Sequence, residues 1–273
     1  MTKKIPITVI NLKKDIDRKN NITQQLNKLN LEFSLFEAIY GADLNLEEFE
    51  AAYNPKYSVE KNTRTLLKND IGCALSHFGV YQKMMDNDID KMLILEDDAI
   101  FDEGFLKALD VVECLPKNWE IFLLGYSSGR KIPCNFKVEL ENNHTTFNVG
   151  VSPITRGCLH GYVINKRGAQ RMLNYKDSLY QAVDMYSGDY RMMNVYILYP
   201  KVVYQSADFD SSIGYEWMVG TDSKWKQQKI VKVIRNFNNK RRRKRQERGG
   251  FSLSCILRKI KFRVRHGFKE YYQ

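Results

Sequence analysis

The sequence predicts an α/β fold over most of its length, on three observations. Short apolar, β-branched runs alternate with segments of helical periodicity from Ile5 to Gly125. The first strand, helix and strand fit within about 35 residues, which is room for a βαβ crossover and implies a parallel pair. The apolar run Met92 to Leu95 ends in three adjacent carboxylates, and open α/β sheets bind ligands at the carboxyl ends of their strands.

Ile5 to Leu12 reads as a buried strand, because it is β-branched and nearly uncharged. Asp15 or Asp17 caps a helix in which Ile22, Leu26 and Leu29 share a face, ending near Asn30. Leu31 to Ile39 is a second strand, closed by Tyr40-Gly41. Ile71, Leu75, Phe78 and Met85 predict a helix leading into the acidic strand. Phe105 to Val112 fits another helix before Pro116, and Trp119 to Gly125 another short buried strand. Residues 126–160 carry Gly, Pro, Asn and Ser with poor periodicity, which predicts loops or short antiparallel strands over a site. Gly161 to Ile164 is a strand, Lys166 to Leu173 a helix, and Val195 to Tyr199 with Val202 and Val203 the last core strands.

The acidic run Glu96-Asp97-Asp98 carries the chemistry. Like charges repel, and a carboxylate near an interior is costly unless a cation or donors compensate it. In a continuing strand Glu96 and Asp98 share one face, about 7 Å apart, while Asp97 faces the other way. One of the pair would bind a hard cation such as Mg²⁺ or Mn²⁺, and the other would act through water or hold a sugar hydroxyl. The alternative is a strand running into an acidic, solvated turn.

Length and composition set bounds. A chain of 273 residues with 43% hydrophobic content buries a real core. No apolar stretch approaches the roughly 20 residues that span a bilayer, and the start runs straight into a strand, which predicts a cytoplasmic protein. Cys73, Cys114, Cys134, Cys158 and Cys255 are scattered, without a C-x-x-C pair, so neither a zinc site nor a disulfide framework is expected. The net charge is +11, but residues 229–273 hold 16 Lys and Arg against Glu247 and Glu270, a net of +14 that leaves −3 for residues 1–228. A basic tail on a mildly acidic body is the expected organisation, divided into residues 1–225 and 226–273.

Several blocks in order resemble one family: strand-Asn-Leu near the start, Phe36-Glu37-Ala38-Ile39-Tyr40-Gly41, Gly72-Cys73-Ala74-Leu75-Ser76-His77, the Leu-Glu-Asp-Asp run and Gly161-Tyr162-Val163-Ile164. This succession, over roughly residues 5–210, is similar to glycosyltransferase family 25, the lipooligosaccharide galactosyltransferases of Gram-negative bacteria, with collagen galactosyltransferases as distant relatives. The resemblance implies a GT-A-like, nucleotide-sugar-binding α/β fold whose acidic motif holds Mn²⁺ (or Mg²⁺) against a UDP diphosphate. It also implies inverting transfer, usually of galactose from UDP-galactose, to a lipid-linked oligosaccharide or lipopolysaccharide acceptor. The Glu-Asp-Asp form is usual in that family. Asp98 is then the metal ligand, with Glu96 its same-face partner toward metal-bound water or the ribose. Asp97 is structural or faces the donor sugar.

Inversion by single displacement needs a base on the acceptor hydroxyl. Asp184, which matches a Val-Asp-plus-hydrophobe block of the family, and Asp189 are the candidates; a helix cap is the alternative role for Asp184. Asn11 and Arg18 lie at and after the end of the first strand, where a uridine phosphate would approach, and the forked donors of Arg suit a diphosphate. Ala38 and Gly41 would let a nucleotide lie against the backbone, although a glycine after a strand also serves a turn. His77, beside Ser76 on the predicted helix, would orient phosphate or ligate metal, against an ordinary packed histidine. His160 would face the acceptor.

Lys240 to Arg245 is an unbroken run of six cations, followed by Phe251 to Phe268 with apolar and basic residues interleaved. As a helix this tail would be amphipathic and suited to the anionic inner-membrane surface, where a lipid-linked acceptor resides. The expectation is a cytoplasmic enzyme, peripheral on the inner membrane of a Gram-negative bacterium. Two other readings remain: another metal-dependent nucleotide-sugar or nucleotidyl transferase, and a basic-tailed membrane- or RNA-binding protein with a structural acidic motif. Nucleic acid ranks lower as a partner because the body offers no basic face.

Overall fold

The computed structural model describes residues 5–61, 63–126, 136–140, 145–151, 157–206 and 209. The first compact unit closes at Asp210, and the expected basic tail lies outside the described residues. In chain order the elements are β1 (Ile7–Asn11), α1 (Ile16–Lys28), β2 (Ser34–Glu37), α2 (Leu46–Ala52), α3 (Pro55–Glu60), α4 (Lys68–Asp86), β3 (Lys91–Glu96) and β4 (Ala99–Phe101). They continue with α5 (Phe105–Asp110), β5 (Ile121–Leu123), β6 (Phe136–Leu140), β7 (Thr145–Gly150), β8 (Gly161–Asn165), α6 (Lys166–Leu173), α7 (Val183–Ser187), β9 (Val195–Tyr199) and β10 (Val203–Gln205).

Eight strands form one sheet in the order β2-β1-β3-β8-β5-β9-β7-β6, and β10 pairs with β4 in a second, two-stranded sheet. The α/β class is as the sequence predicts. β1 is parallel to β2 and to β3, so the expected βαβ crossover through α1 is present. β8 and β7 run opposite to their neighbours, which makes the sheet mixed. β8 slots between β3 and β5 with Leu95 opposite Gly161, and that register decides what stands beside the acidic run.

Local chemistry explains the element limits. Asn30 takes a left-handed φ of 53° directly after α1, a conformation that Asn tolerates and that stops a helix. β2 is shorter than the predicted 31–39 because it is an edge strand with one neighbour, although Ala38 N–H still bonds Asn11 O at 2.9 Å. The predicted helix at 105–112 divides into α5 and a 3₁₀ turn, Val111–Cys114. Two short helices escaped periodicity because caps set them: Asn45 and Glu48 form a capping box on α2, and Asn54 with Pro55 starts α3.

In α4, Ile71, Ala74, Phe78 and Tyr81 are buried along one stripe against the sheet, beside Met92 and Ile94 of β3. Gly41 and Gly72 let the 3₁₀ turn at Gly41–Asp43 meet α4 backbone to backbone; a Cβ on Gly41 would collide with Lys68 O, and one on Gly72 with Gly41 N. The predicted nucleotide contact at Gly41 therefore has a packing explanation in the fold. Ser76 fixes the same loop, accepting Ile39 N–H at 2.8 Å.

Candidate active site

The carboxyl ends of β1, β3, β5 and β9 and the start of β8 lie along one sheet edge. β3 stops at Glu96, and Asp97 and Asp98 form the turn into β4 rather than continuing the strand. The alternation expected of an extended strand still holds in outcome: Glu96 and Asp98 converge, and Asp97 points elsewhere. Glu96 N–H bonds His160 O at 3.0 Å, so the β3–β8 register sets His160 beside the carboxylates. The ligating atoms of Glu96, Asp98 and His160 lie within 4.8 Å of one another.

Asp97 is held by the chain itself. Its carboxylate accepts from Asn11 Nδ2 at 2.8 Å and Arg18 Nη1 at 2.9 Å, both largely buried. Arg18 also stands 3.5 Å from Asp98 Oδ2. Asn11 and Arg18, expected near a uridine phosphate, thus brace the acidic turn from β1 and α1. Asp97 is the member whose carboxylate is engaged by side chains of β1 and α1.

Of the two buried acids Asp98 and Glu120, Asp98 is the less compensated, with Arg18 no nearer than 3.5 Å. It is 4% exposed; Oδ2 accepts from Gln205 Nε2 at 3.0 Å, and Oδ1 is buried with no hydrogen-bond partner among the described residues. Burial, then the neighbouring Glu96 charge, push its carboxyl up to about 6. Glu120, equally buried, has Arg171 at 2.8 Å and Arg167 at 3.3 Å. A buried carboxylate with one oxygen lacking a donor, clustered with two other ligating side chains, is the chemistry of a cation site. Two carboxylates with one imidazole suit a hard divalent ion, and the residues present fit Mn²⁺ or Mg²⁺.

Burial raises the Glu96 carboxyl, but the His77 hydrogen bond and charge, with His160 and Arg18, bring it below the usual range. His77 is 1% exposed; its Nε2 stands 3.5 Å from Glu96 Oε1 and its Nδ1 2.8 Å from the Tyr162 hydroxyl, itself 2.7 Å from that of Tyr81. Burial lowers the His160 imidazole, partly offset by Glu96. Asp184 lies in the first turn of α7 and accepts Cys158 N–H at 2.9 Å. Burial raises its carboxyl, outweighing that bond, and the Glu96 charge adds to the rise.

The fold therefore gathers Glu96, Asp98, His77 and His160, braces them with Asn11, Arg18 and Asp97, and sets Asp184 within their field. It does not bring Asp189 to them: that carboxylate is forked onto Arg191, with Nε at 2.8 and 2.9 Å, and accepts the Arg191 N–H. Ala38 and Gly41 lie at the end of β2 and in the turn that packs on α4. Residues the sequence did not point to include Gln205, carried in by the β4–β10 pairing, and Tyr162 and Tyr81 behind His77. Arg64 belongs with them, paired with Asp70 at 2.6 Å and acting electrostatically on Asp184. No local pattern signals these residues, because strand pairing and helix packing bring them in from distant segments.

A model described as glycosyltransferase family 25 (LPS biosynthesis protein) matches residues 4–187. The chain belongs to that family. Human procollagen galactosyltransferase 2 is 27% identical over 179 residues, 61% of this chain and 27% of the relative. The mouse protein of the same name is 32% identical over 127 residues, 44% of this chain and 20% of its own length. This chain thus spans about a quarter of the curated relatives it matches. Among solved structures, a glycosyltransferase involved in glycosylation of the major capsid of PBCV-1 superposes with a TM-score of 0.32 and 10% identity, over 62% of this chain and 64% of that one.

Proposed function

We propose that this chain is an inverting glycosyltransferase that moves a sugar from a UDP-sugar, galactose being the first choice, to a saccharide acceptor of the lipopolysaccharide type. One observation carries the reading: in a family-25 chain, Glu96, Asp98 and His160 converge at the carboxyl edge of the sheet, and one buried oxygen of Asp98 has no donor among the described residues. Mn²⁺ or Mg²⁺ held by these three would supply the positive charge that a departing diphosphate requires. The chain's own residues do the rest. Arg18 and Asn11 fix Asp97 and thereby the turn that aims Asp98. Asp184, whose carboxyl burial raises and which stands within the field of Glu96, takes the proton from the acceptor hydroxyl.

The donor choice rests on the relatives named procollagen galactosyltransferases, and the acceptor on the family's description. For location we propose a cytoplasmic enzyme, peripheral on an anionic inner membrane through residues 226–273. No described helix is long and apolar enough to cross a membrane.

The test is a donor screen with several UDP-sugars in Mn²⁺, with and without EDTA, followed by linkage analysis of the product. Transfer that EDTA abolishes and Asp98→Ala removes supports the site. Full transfer in EDTA, or by Asp98→Ala, overturns it.

A further inference from the structure

α4 places Cys73 and His77 four residues apart, one turn above the other on the same helix face. That face meets the end of β3. The Cys73 Sγ, an imidazole nitrogen of His77 and a carboxylate oxygen of Glu96 lie within 4.8 Å of one another. This is a different donor set from Glu96, Asp98 and His160, and the two share only Glu96.

We propose that Cys73, His77 and Glu96 form a second metal site, one that takes a borderline or soft divalent ion such as Zn²⁺ and thereby withdraws Glu96 from the catalytic cluster. A sulfur, a nitrogen and one carboxylate oxygen are the ligand set of zinc, whereas two carboxylates and one imidazole are harder. Tetrahedral zinc with bonds of about 2.0–2.3 Å wants its ligands roughly 3.3–3.8 Å apart, so small side-chain rotations close the site. His77 Nε2 and Glu96 Oε1 already stand 3.5 Å apart.

The surroundings of His77 support the same reading. A metal-ligating histidine gives its other ring nitrogen to a fixed partner, which sets the tautomer and aims the ring. Here Nδ1 is 2.8 Å from the Tyr162 hydroxyl, which Tyr81 holds in turn at 2.7 Å. A metal-bound His77 would donate its Nδ1 proton to Tyr162 Oη and offer the ion Nε2, the nitrogen that stands beside Glu96.

Cys73 is a free thiol. On binding, the thiol releases its proton to solvent and the ion takes the thiolate. A fourth ligand would come from water. Because Glu96 cannot serve both sites fully, zinc in the second opposes Mn²⁺ in the first. The scattered cysteines gave no hint of this, because the ligands come together only through α4 and β3.

Co²⁺ titration of the full metal-free chain tests it, since a thiolate ligand gives a sulfur-to-cobalt charge-transfer band in the near ultraviolet. The expected result is a band that saturates at one ion per chain and is lost in Cys73→Ser and Cys73→Ala, with melting curves like the parent's. In transfer assays, Cys73→Ser should raise the Zn²⁺ concentration for half-inhibition at least about tenfold while leaving Mn²⁺-supported turnover unchanged. No band in the parent, a band retained by both variants, or equal zinc inhibition of parent and variant would overturn the proposal. The cobalt band reports Cys73 whatever the chain transfers, so its failure is separate from failure of the proposed reaction.

Discussion

Replacing Asp98 by Asn is expected to make the metal-free chain more stable at neutral pH while abolishing sugar transfer. The Asp98 carboxyl is pushed up to about 6 from an ordinary 3.8, so the folded chain holds a proton there over a pH range in which the unfolded chain has released it. Sign follows from that: below about pH 4 both states are protonated and nothing is lost. Between about pH 4 and 6 the unfolded chain has released the proton that the fold still holds, so stability falls across that window and levels off above it, where the fold carries an ionised, buried carboxylate. Each pH unit between the folded and unfolded values corresponds to about 1.4 kcal/mol, so the full cost is about 3 kcal/mol. The Asn side chain is neutral and nearly isosteric, and its oxygen can still accept from Gln205. In EDTA at pH 8 the variant should melt about 6–12 °C above the parent, the range for a body of this size, and the difference should vanish near pH 4. Mn²⁺ should raise the melting point of the parent but not of the variant. An Asp98→Asn chain that melts lower than the parent at pH 8, or by the same margin at both pH values, would refute the reasoning about an uncompensated carboxylate.

Asp184→Asn keeps an acceptor for Cys158 N–H, so the fold should persist while turnover falls by about 10²–10⁴ with little change in donor KM; an unchanged turnover would remove Asp184 as base. Arg18→Met leaves Asp97 buried with Asn11 as its one side-chain partner among the described residues, and should cost about 3 kcal/mol in denaturant unfolding near pH 7. Gly41→Ala pushes a methyl into the α4 backbone and should destabilise by about 1–3 kcal/mol; a neutral result would show that the turn can move away from α4.

The acidic run shows how far local sequence reasoning carries. Alternation predicted that Glu96 and Asp98 share a side and that Asp97 stands apart, and the residues are so arranged. The route differs, because the strand stops at Glu96 and a turn brings Asp98 round. The partners of the run were less legible. Arg18, expected near a phosphate, is found bracing Asp97, because a charged residue one turn into α1 lands beside the β3–β4 turn only once β1 and β3 are paired. His160 and Gln205 come from antiparallel pairings across long loops, whose register no local pattern encodes.

By itself the sequence determined the α/β class, the β1–α1–β2 unit, the helix at α4, the strand before the acidic run and the family to which the chain belongs. These follow from periodicity and ordered motifs, which are properties of neighbouring residues. The tertiary structure alone decided the reversal of β8, which sets His160 beside Glu96. It also decided the burial that leaves Asp98 Oδ1 without a donor, and the approach of α4 to β3 that puts Cys73 and His77 against the same carboxylate. Burial and charge environment depend on what packs from distant parts of the chain, and so the acidic run acquires its chemistry only in the folded protein.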